Sequence, residues 1–177
     1  MATPSSNTGK SAAKRTPPKT AASGGPDAIA MLKADHRAVE TLFSQFEKAR
    51  AETRKQELAQ KICLELRVHM QIEEEIFYPT SRDFLDDEDI VNEAIVEHQA
   101  AKDLMDQIVD MDPSDEMFEA KVTVLQEQIE HHVEEEEKEY FPKVKKTEMD
   151  LKAVGERMQA RKDELMSEMD GQAPSAH

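Results

Sequence analysis

The sequence has few of the residues that build sheets, tight turns and disulfide frameworks. Among its 177 residues there are no tryptophans, five glycines and one cysteine. Its β-branched residues never alternate as they do in strands, and Glu, Lys, Ala, Leu and Met, all good helix formers, dominate. These features predict an all-α protein. The single cysteine, Cys63, excludes an internal disulfide and fits a reducing, cytoplasmic location.

Positive charge and long apolar runs are scarce as well. The chain has 23 Lys and Arg against 38 Asp and Glu, which gives a net charge of −15. Nucleic acids and anionic membrane surfaces repel such a protein, so we expect neither as a partner. The longest apolar runs are too short to span a bilayer.

Residues 1–26 differ in composition from the remainder of the chain. They contain no acidic residue and are rich in Pro, Ser, Thr, Gly and Ala, which bury too little surface to offset the entropy of ordering. We therefore predict a disordered basic tail over residues 1–26 that serves as a flexible leader.

Five apolar-periodic segments follow this tail and predict five helices. Their predicted bounds are about 27–50, 52–78, 89–111, 115–141 and 149–169. Pro79 and Pro142 are expected to end the second and the fourth. Because the connections are short, consecutive helices should be antiparallel neighbours. The predicted fold is an antiparallel up-down-up-down four-helix bundle over residues 27–146.

Residues 147–177 are predicted to form an additional C-terminal helix and a frayed end. Apolar residues recur there at helical spacing, at Leu151, Val154, Met158 and Leu165. The helix is expected to cover one side of the bundle. Alternatively its apolar residues form a contact between two copies, so a monomer or a weak dimer is predicted.

Each helix of the predicted bundle carries one histidine within its apolar stripe. These residues are His36, His69, His98 and His132. The first and third of them lie nine residues after the predicted helix starts, and the other two lie nine residues before the predicted ends. In an antiparallel bundle these distances bring all four imidazoles to one level. His131 is turned about 100° away from the stripe of its neighbour and is expected to be exposed.

Two of these histidines begin closely similar stretches of sequence. Residues 69–79 read HMQIEEEIFYP and residues 132–142 read HVEEEEKEYFP, with a glutamate four residues after each histidine. Residues four apart share a helix face. Glu73 and Glu136 are therefore expected to project inward beside the ring of imidazoles.

Four inward histidines and two inward carboxylates together indicate a metal site. A single inward histidine is usually a hydrogen-bonded core residue, and His⁺–Glu⁻ pairs are the alternative explanation for the whole set. Unpaired carboxylates in an apolar core are costly, and divalent cations, which imidazoles and carboxylates bind, would offset that cost. Six ligands suit two cations bridged by the carboxylates. The Glu-x-x-His pattern of ferritin-like sites is absent.

On these residues the chain resembles the hemerythrin-like, or HHE cation-binding, family. The resemblance spans residues 27–142 and rests on the four histidines together with Glu73 and Glu136. It implies two iron ions (Fe²⁺ or Fe³⁺) joined by the carboxylates and by a bridging oxo or hydroxo group. Manganese or zinc would also suit these ligands. Members of the family bind O₂, and some handle NO, peroxide or iron itself.

The chain departs from the oxygen-carrying members of that family at two places. Those proteins have a second histidine four residues after the one on the third helix, where this chain has Lys102. Their last carboxylate lies five residues after its histidine, whereas Glu136 lies four residues after His132, with Glu137 also available at five. Glu40, one turn along the first helix from its histidine, is either a substitute ligand or a surface residue.

The predicted function is that of a cytoplasmic di-iron protein. It would bind O₂ or NO, or buffer iron and peroxide, as in a stress response. The alternative is an enzyme, such as an oxidase, a peroxidase-like protein or an NO-reducing protein. Such an enzyme would need the same di-iron centre. A regulatory or scaffold bundle without bound metal is the third hypothesis. Small-molecule binding, rather than dedicated catalysis, is our working hypothesis.

Overall fold

The computed structural model describes residues 25–170. The predicted disordered tail, up to residue 24, and the predicted frayed end, from residue 171, lie outside the described residues. Every regular element within residues 25–170 is helical, which confirms the all-α prediction. None of these helices is both long and apolar enough to cross a membrane.

The described residues contain the four helices of the predicted bundle and the additional one. The first helix spans Ala28–Lys48 and the third spans Asp89–Asp110. The second consists of Glu52–Ile72, a π-helical turn at Glu73–Phe77 and a last α-helical turn at Tyr78–Arg82. The fourth repeats this arrangement with Phe118–Glu135, Glu136–Tyr140 and Phe141–Val144. The fifth spans Leu151–Asp170.

Aspartate side chains accept backbone hydrogen bonds at the start of the first helix and just before the fourth. The Asp27 side chain accepts a hydrogen bond of 2.8 Å from the Ala30 amide and so caps the first helix. The fourth helix begins later than predicted because Asp115 caps a preceding turn instead. Its side chain accepts from the Met117 amide at 2.8 Å, one residue before the helix starts at Phe118.

The prediction that Pro79 and Pro142 end their helices is wrong. Each helix continues past its proline for about another turn. A π-helical turn precedes each proline, in which the amides of Tyr78 and Phe141 donate to carbonyls five residues back. A new α-helical segment begins there, and the proline falls in its first turn, where an amide hydrogen is not needed.

Two apolar clusters fill the bundle, and a polar layer separates them. On the first helix Leu32 belongs to one cluster and Val39 to the other, and on the third helix Ala94 and Ala101 divide in the same way. The inward histidine of each helix lies between these two residues. Among residues 25–170 the buried polar and charged side chains, apart from Ser81, all belong to this layer: His36, His69, Glu73, His98, His132 and Glu136.

Cys63 lies in the second of these apolar clusters, away from the polar layer. Burial raises the pKa of its thiol to about 12. A thiol with so high a pKa is not a reactive nucleophile near neutral pH. Cys63 is therefore a small core residue.

The fifth helix packs onto the first cluster. Val154, Met158 and Leu165 are buried there within the chain, so these side chains are not available for a contact between two copies. Gly155 faces the start of the first helix. A Cβ at this position would lie 2.7 Å from the backbone nitrogen of Ala28, which is closer than packed atoms approach.

Gly155→Ala should therefore loosen the fifth helix from the bundle. Alanine favours a helix more than glycine does, but the added methyl meets backbone atoms that cannot rotate away. We expect a net loss of about 1–3 kcal/mol in the free energy of unfolding, measured by chemical denaturation. Gly25→Ala, where a Cβ would meet open space, is the matched control. Equal stability of the two variants would contradict the close packing.

Candidate metal centre

The four predicted histidines meet in two pairs inside the polar layer. All four are buried. The Nε2 atoms of His36 and His69 are 3.2 Å apart, and those of His98 and His132 are 3.0 Å apart. Each pair joins one helix to the next helix along the chain. The structure thus brings together side chains that are 33 and 34 residues apart in sequence.

Two glutamates lie between the pairs. Oε1 of Glu73 is 3.3 Å from Nε2 of His69, and its Oε2 is 3.4 Å from Nε2 of His98. Oε2 of Glu136 is 3.4 Å from Nε2 of His36 and 3.7 Å from Nε2 of His132. Each carboxylate therefore contacts one imidazole of each pair.

Three of the four carboxylate oxygens have no hydrogen-bond partner. They are both oxygens of Glu73 and Oε2 of Glu136, and all are fully buried. The fourth, Oε1 of Glu136, accepts a hydrogen bond of 2.9 Å from the Tyr78 hydroxyl. Buried carboxylate oxygens without partners are rare because each loses its hydration without compensation. Their arrangement beside four ring nitrogens is that of a set of cation ligands.

These donor atoms form two overlapping groups. The donors of His36, His69, Glu73 and Glu136 lie within 4.8 Å of one another. The donor atoms of Glu73, His98 and His132 also lie within 4.8 Å of one another. Glu73 belongs to both groups, so it is placed to bridge two cation positions. Chemically, nitrogen and carboxylate oxygen donors of this kind suit divalent first-row metals.

The outer nitrogen of every imidazole faces another carboxylate. Nδ1 of His36 is 2.9 Å from Glu137, and Nδ1 of His98 is 2.9 Å from Glu74. Nδ1 of His132 is 2.7 Å from Glu97, and Nδ1 of His69 is 3.5 Å from Asp35. Because a carboxylate only accepts, the outer carboxylates favour a proton on each Nδ1, and Nε2 is the ring nitrogen that faces the centre.

Cationic side chains in turn hold these outer carboxylates. Lys102 donates to both oxygens of Glu74 at 2.6 and 2.7 Å, Lys162 donates to Asp35 at 2.5 Å, and Arg37 contacts Glu137. For Asp35, Glu74 and Glu137, burial works against ionisation, but hydrogen bonds from histidine and cation lower the pKa. For Glu97 the hydrogen bond from His132 is the main cause of a lowered pKa.

Sequence reasoning missed this outer layer of carboxylates. Asp35 and Glu97 each precede an inward histidine, and Glu74 and Glu137 each follow an inward glutamate. That adjacency to the predicted ligands was a usable signal. The acidic runs around residues 74 and 137 do not by themselves distinguish such carboxylates from solvated ones, because helical spacing does not show which side chains a neighbouring helix brings.

The remaining predicted candidates lie outside the cluster. Glu40 is exposed and pairs with Arg37 at 2.8 Å, so we leave it out of the proposed ligand set. Lys102, at the position where the oxygen carriers have a histidine, supports Glu74 rather than approaching the centre. His131 is exposed, as expected, and contacts Glu135 at 3.3 Å.

The pKa values of the two central carboxylates shift in opposite directions. Burial and the negative charge of Glu136 raise the pKa of Glu73 well above its ordinary value. For Glu136 burial acts in the same direction, but His132 and His36 outweigh it and lower the pKa to about 2. Burial also lowers the pKa of His69 to about 4, so this imidazole is neutral near pH 7. The raised pKa of Glu73 favours its protonated form in the cation-free protein, so a binding cation competes with that proton.

The π-helical turns help to place the site. Each of them begins at a central glutamate, Glu73 or Glu136. The wider turn shifts the helix register after that residue, so that Tyr78 and Phe141 point back over the imidazoles and contact His98 and His36. Single π-helical turns of this kind are frequent at functional sites.

A small cavity adjoins the imidazoles on the side of the second apolar cluster. Its volume is about 10 Å³, which is room for about one water-sized molecule. Apart from three of the histidines and Asp35, its walls are apolar: Val39, Leu66, Met70, Ile129 and Val133. This space is too small for an organic substrate.

Comparison with known proteins agrees with this fold. A family model described as the hemerythrin HHE cation binding domain matches residues 27–144. The crystal structure of a hemerythrin HHE cation-binding domain-containing protein from Mycobacterium kansasii has a TM-score of 0.71. The match covers 85% of this chain and 93% of that one at 23% identity, which is a likeness of fold.

A curated relative is a longer protein. It is described as a DNA nickase from Nostoc sp. (strain PCC 7120) and is 27% identical over 148 residues. The match covers 82% of this chain but 42% of that protein, so the chain spans less than half of the relative's length.

Lys162→Met should weaken cation retention although Lys162 is not a ligand. Lys162 orients Asp35, which faces Nδ1 of His69, and loss of such support typically costs about tenfold in metal affinity. We expect about a tenfold weaker affinity for zinc, measured by competition with a chelator, and a change below about 1 kcal/mol in cation-free stability. Lys152→Met, an exposed lysine of the same helix, is the control, and Lys162→Arg should restore affinity. An affinity unchanged by Lys162→Met would contradict the supporting role.

Glu73→Gln should stabilise the cation-free protein and abolish its response to metal. Because the pKa of Glu73 is raised in the folded state, its contribution to stability is complete below the ordinary carboxyl pKa and is lost as pH rises through the folded value. Glutamine stays neutral, so cation-free Glu73→Gln should exceed the wild type by roughly 1–3 kcal/mol at alkaline pH and match it in acid.

The measurement is thermal and denaturant unfolding across this pH range, with and without zinc. Exposed Glu134→Gln is the matched control and should behave as the wild type does. Stabilisation of Glu73→Gln by zinc equal to that of the wild type would show that Glu73 is not a ligand.

Proposed function

Because the chain belongs to the hemerythrin HHE cation-binding domain family, we propose that it holds two iron ions in its bundle core and binds a small molecule there. The proposed ligands are His36, His69, Glu73, His98, His132 and Glu136. The proposed small molecule is O₂ or NO, or else the site buffers peroxide and iron.

One observation carries the proposal. Three buried carboxylate oxygens have no hydrogen-bond partner and face four ring nitrogens. Paired His⁺–Glu⁻ groups would compensate the charge, but they do not explain why Nε2 atoms face each other at 3.0 and 3.2 Å while a carboxylate faces each Nδ1. Two cations explain both features, because they bind the lone pairs of the nitrogens and of the carboxylates.

The protein's own residues prepare the site for such a pair. A bound iron pair supplies an open coordination position and a reversible change of charge. The imidazoles are oriented by the outer carboxylates, and lysine or arginine holds three of those carboxylates, Asp35, Glu74 and Glu137. Glu73 is placed to keep both positions at a constant separation, and the apolar clusters above and below exclude water.

The cavity limits what the site takes up. With space for about one water-sized molecule beside His36, His69 and His132, it suits a diatomic gas or, with a slight opening, peroxide. This observation supports small-molecule binding and equally supports turnover of such a molecule. It speaks against an organic substrate within the bundle core.

Metal analysis after anaerobic loading with Fe²⁺ and desalting tests the proposal. We expect about two irons per chain in the wild type, fewer in His132→Ala, and the full complement in His131→Ala, which removes the exposed neighbour. Loading should also raise the melting temperature of the wild type, since a ligand that binds only the folded form stabilises it. If the wild type retained no metal, the proposal would be wrong and the scaffold hypothesis would remain.

Binding and turnover are separated with the same variants. Iron-loaded protein is exposed to O₂, NO or peroxide, and both the absorption spectrum and the consumption of each molecule are followed. A stoichiometric spectral change without continued consumption identifies a binding protein. Continued consumption that His132→Ala loses and His131→Ala keeps identifies an enzyme.

A further inference from the structure

The metal centre is built from two similar halves of the chain. An interval of 63 residues separates His69 from His132 and Glu73 from Glu136, and 62 residues separate His36 from His98. The outer carboxylates and the π-helical turns repeat with the same interval. A symmetric pair of halves would offer two equivalent cation positions.

The repeat is broken at one aromatic pair. The second helix carries Phe77 followed by Tyr78, whereas the fourth carries Tyr140 followed by Phe141. Tyr78 and Phe141 therefore occupy equivalent places. Both are buried, but only one of them has a hydroxyl.

The two rings make different contacts with the centre. The hydroxyl of Tyr78 donates to Oε1 of Glu136 at 2.9 Å and lies 3.3 Å from Nε2 of His98. Phe141 stacks on the ring of His36, with centroids 6.0 Å apart and planes at 7°, and donates nothing. The hydroxyl of Tyr140 is directed to Ser81 instead.

The two central carboxylates are unequal as a result. Glu73 contacts the two pairs through separate oxygens, neither of which has a hydrogen-bond partner, whereas Glu136 contacts both pairs through Oε2 alone because the Tyr78 hydroxyl engages its Oε1. Correspondingly, Glu136 joins the donor group of His36 and His69 but not that of His98 and His132. One position has four protein donors and the other has three.

Resting on the proposed function, we propose that Tyr78 is a positioning residue that makes the two cation positions inequivalent. By engaging Oε1 of Glu136, it leaves Oε2 of this carboxylate for a cation, and Oε2 lies nearer to Nε2 of His36 (3.4 Å) than to Nε2 of His132 (3.7 Å). That position binds its cation first and holds it longer. The position of His98 and His132 binds second and exchanges more readily, and it is the one whose donor set has room for a further ligand.

Zinc titration of the ¹⁵N-histidine-labelled full chain tests this inference without any activity assay. Each histidine resonance is assigned from a variant lacking that histidine. In the wild type, the first equivalent of zinc should shift the resonances of His36 and His69, and the second should shift those of His98 and His132. Removal of zinc by a chelator should show two phases whose rates differ by about tenfold.

Three variants isolate the Tyr78 hydroxyl. Tyr78→Phe removes it without changing the ring, so both pairs should shift together and the two chelation phases should merge. Tyr140→Phe removes the other buried hydroxyl of the same aromatic group and should keep the wild-type order. Tyr78→Phe combined with Phe141→Tyr moves the hydroxyl to the other half, so His98 and His132 should shift first.

The outcomes separate this inference from the proposed function. Retention of two zinc ions with simultaneous shifts of all four histidines in the wild type would overturn the inequivalence and leave the cation site intact. A wild-type order preserved in Tyr78→Phe would overturn the role of Tyr78. Retention of no zinc by any variant would overturn the cation site itself and the inference with it.

Discussion

The carboxylates of Glu73 and Glu136 lie between two pairs of imidazoles in the middle of an apolar bundle. The rest of the structure depends on these contacts between carboxylates and imidazoles. Two carboxylates at this depth are unfavourable alone because burial removes their hydration and each repels the other. Burial raises the pKa of Glu73 and so favours its protonated form in the cation-free protein, whereas a pair of divalent cations would neutralise both carboxylates. The core therefore contains a set of ligand side chains that lowers the stability of the cation-free protein, as is common at functional sites.

Charges of alternating sign surround the centre in successive layers. The inner imidazoles face outer carboxylates, and three of these carboxylates face lysine or arginine at or near the surface. Each layer fixes the orientation of the one inside it, so the lone pairs of the imidazoles are directed before any cation arrives. The fifth helix takes part in this arrangement, because Lys162 holds Asp35 while Gly155 lets the helix approach closely. That helix lies beyond the residues that the family model matches, and it still reaches the site.

A repeated half-chain provides most of this order, and a small departure from the repeat provides the asymmetry. The two π-helical turns start at the central glutamates and carry the helices past their prolines, which brings an aromatic ring over each pair of imidazoles. Exchanging the order of one tyrosine and one phenylalanine then places a single hydroxyl beside one carboxylate. A change of two residues is enough to distinguish the halves because the low dielectric of the core strengthens each polar contact.

The sequence by itself determined the helices, their order, and the inward direction of four histidines and two glutamates, since helical spacing decides which side chains share a face. It also indicated cation binding, because those residue types together have few other uses in a core. Only the tertiary structure decided which outer carboxylate meets which imidazole, that both helices continue through Pro79 and Pro142, and that Glu40 stays at the surface. The physical reason is that periodicity gives directions relative to one helix axis. Contacts between helices, and the register shift of a π-helical turn, follow from how the helices pack against one another.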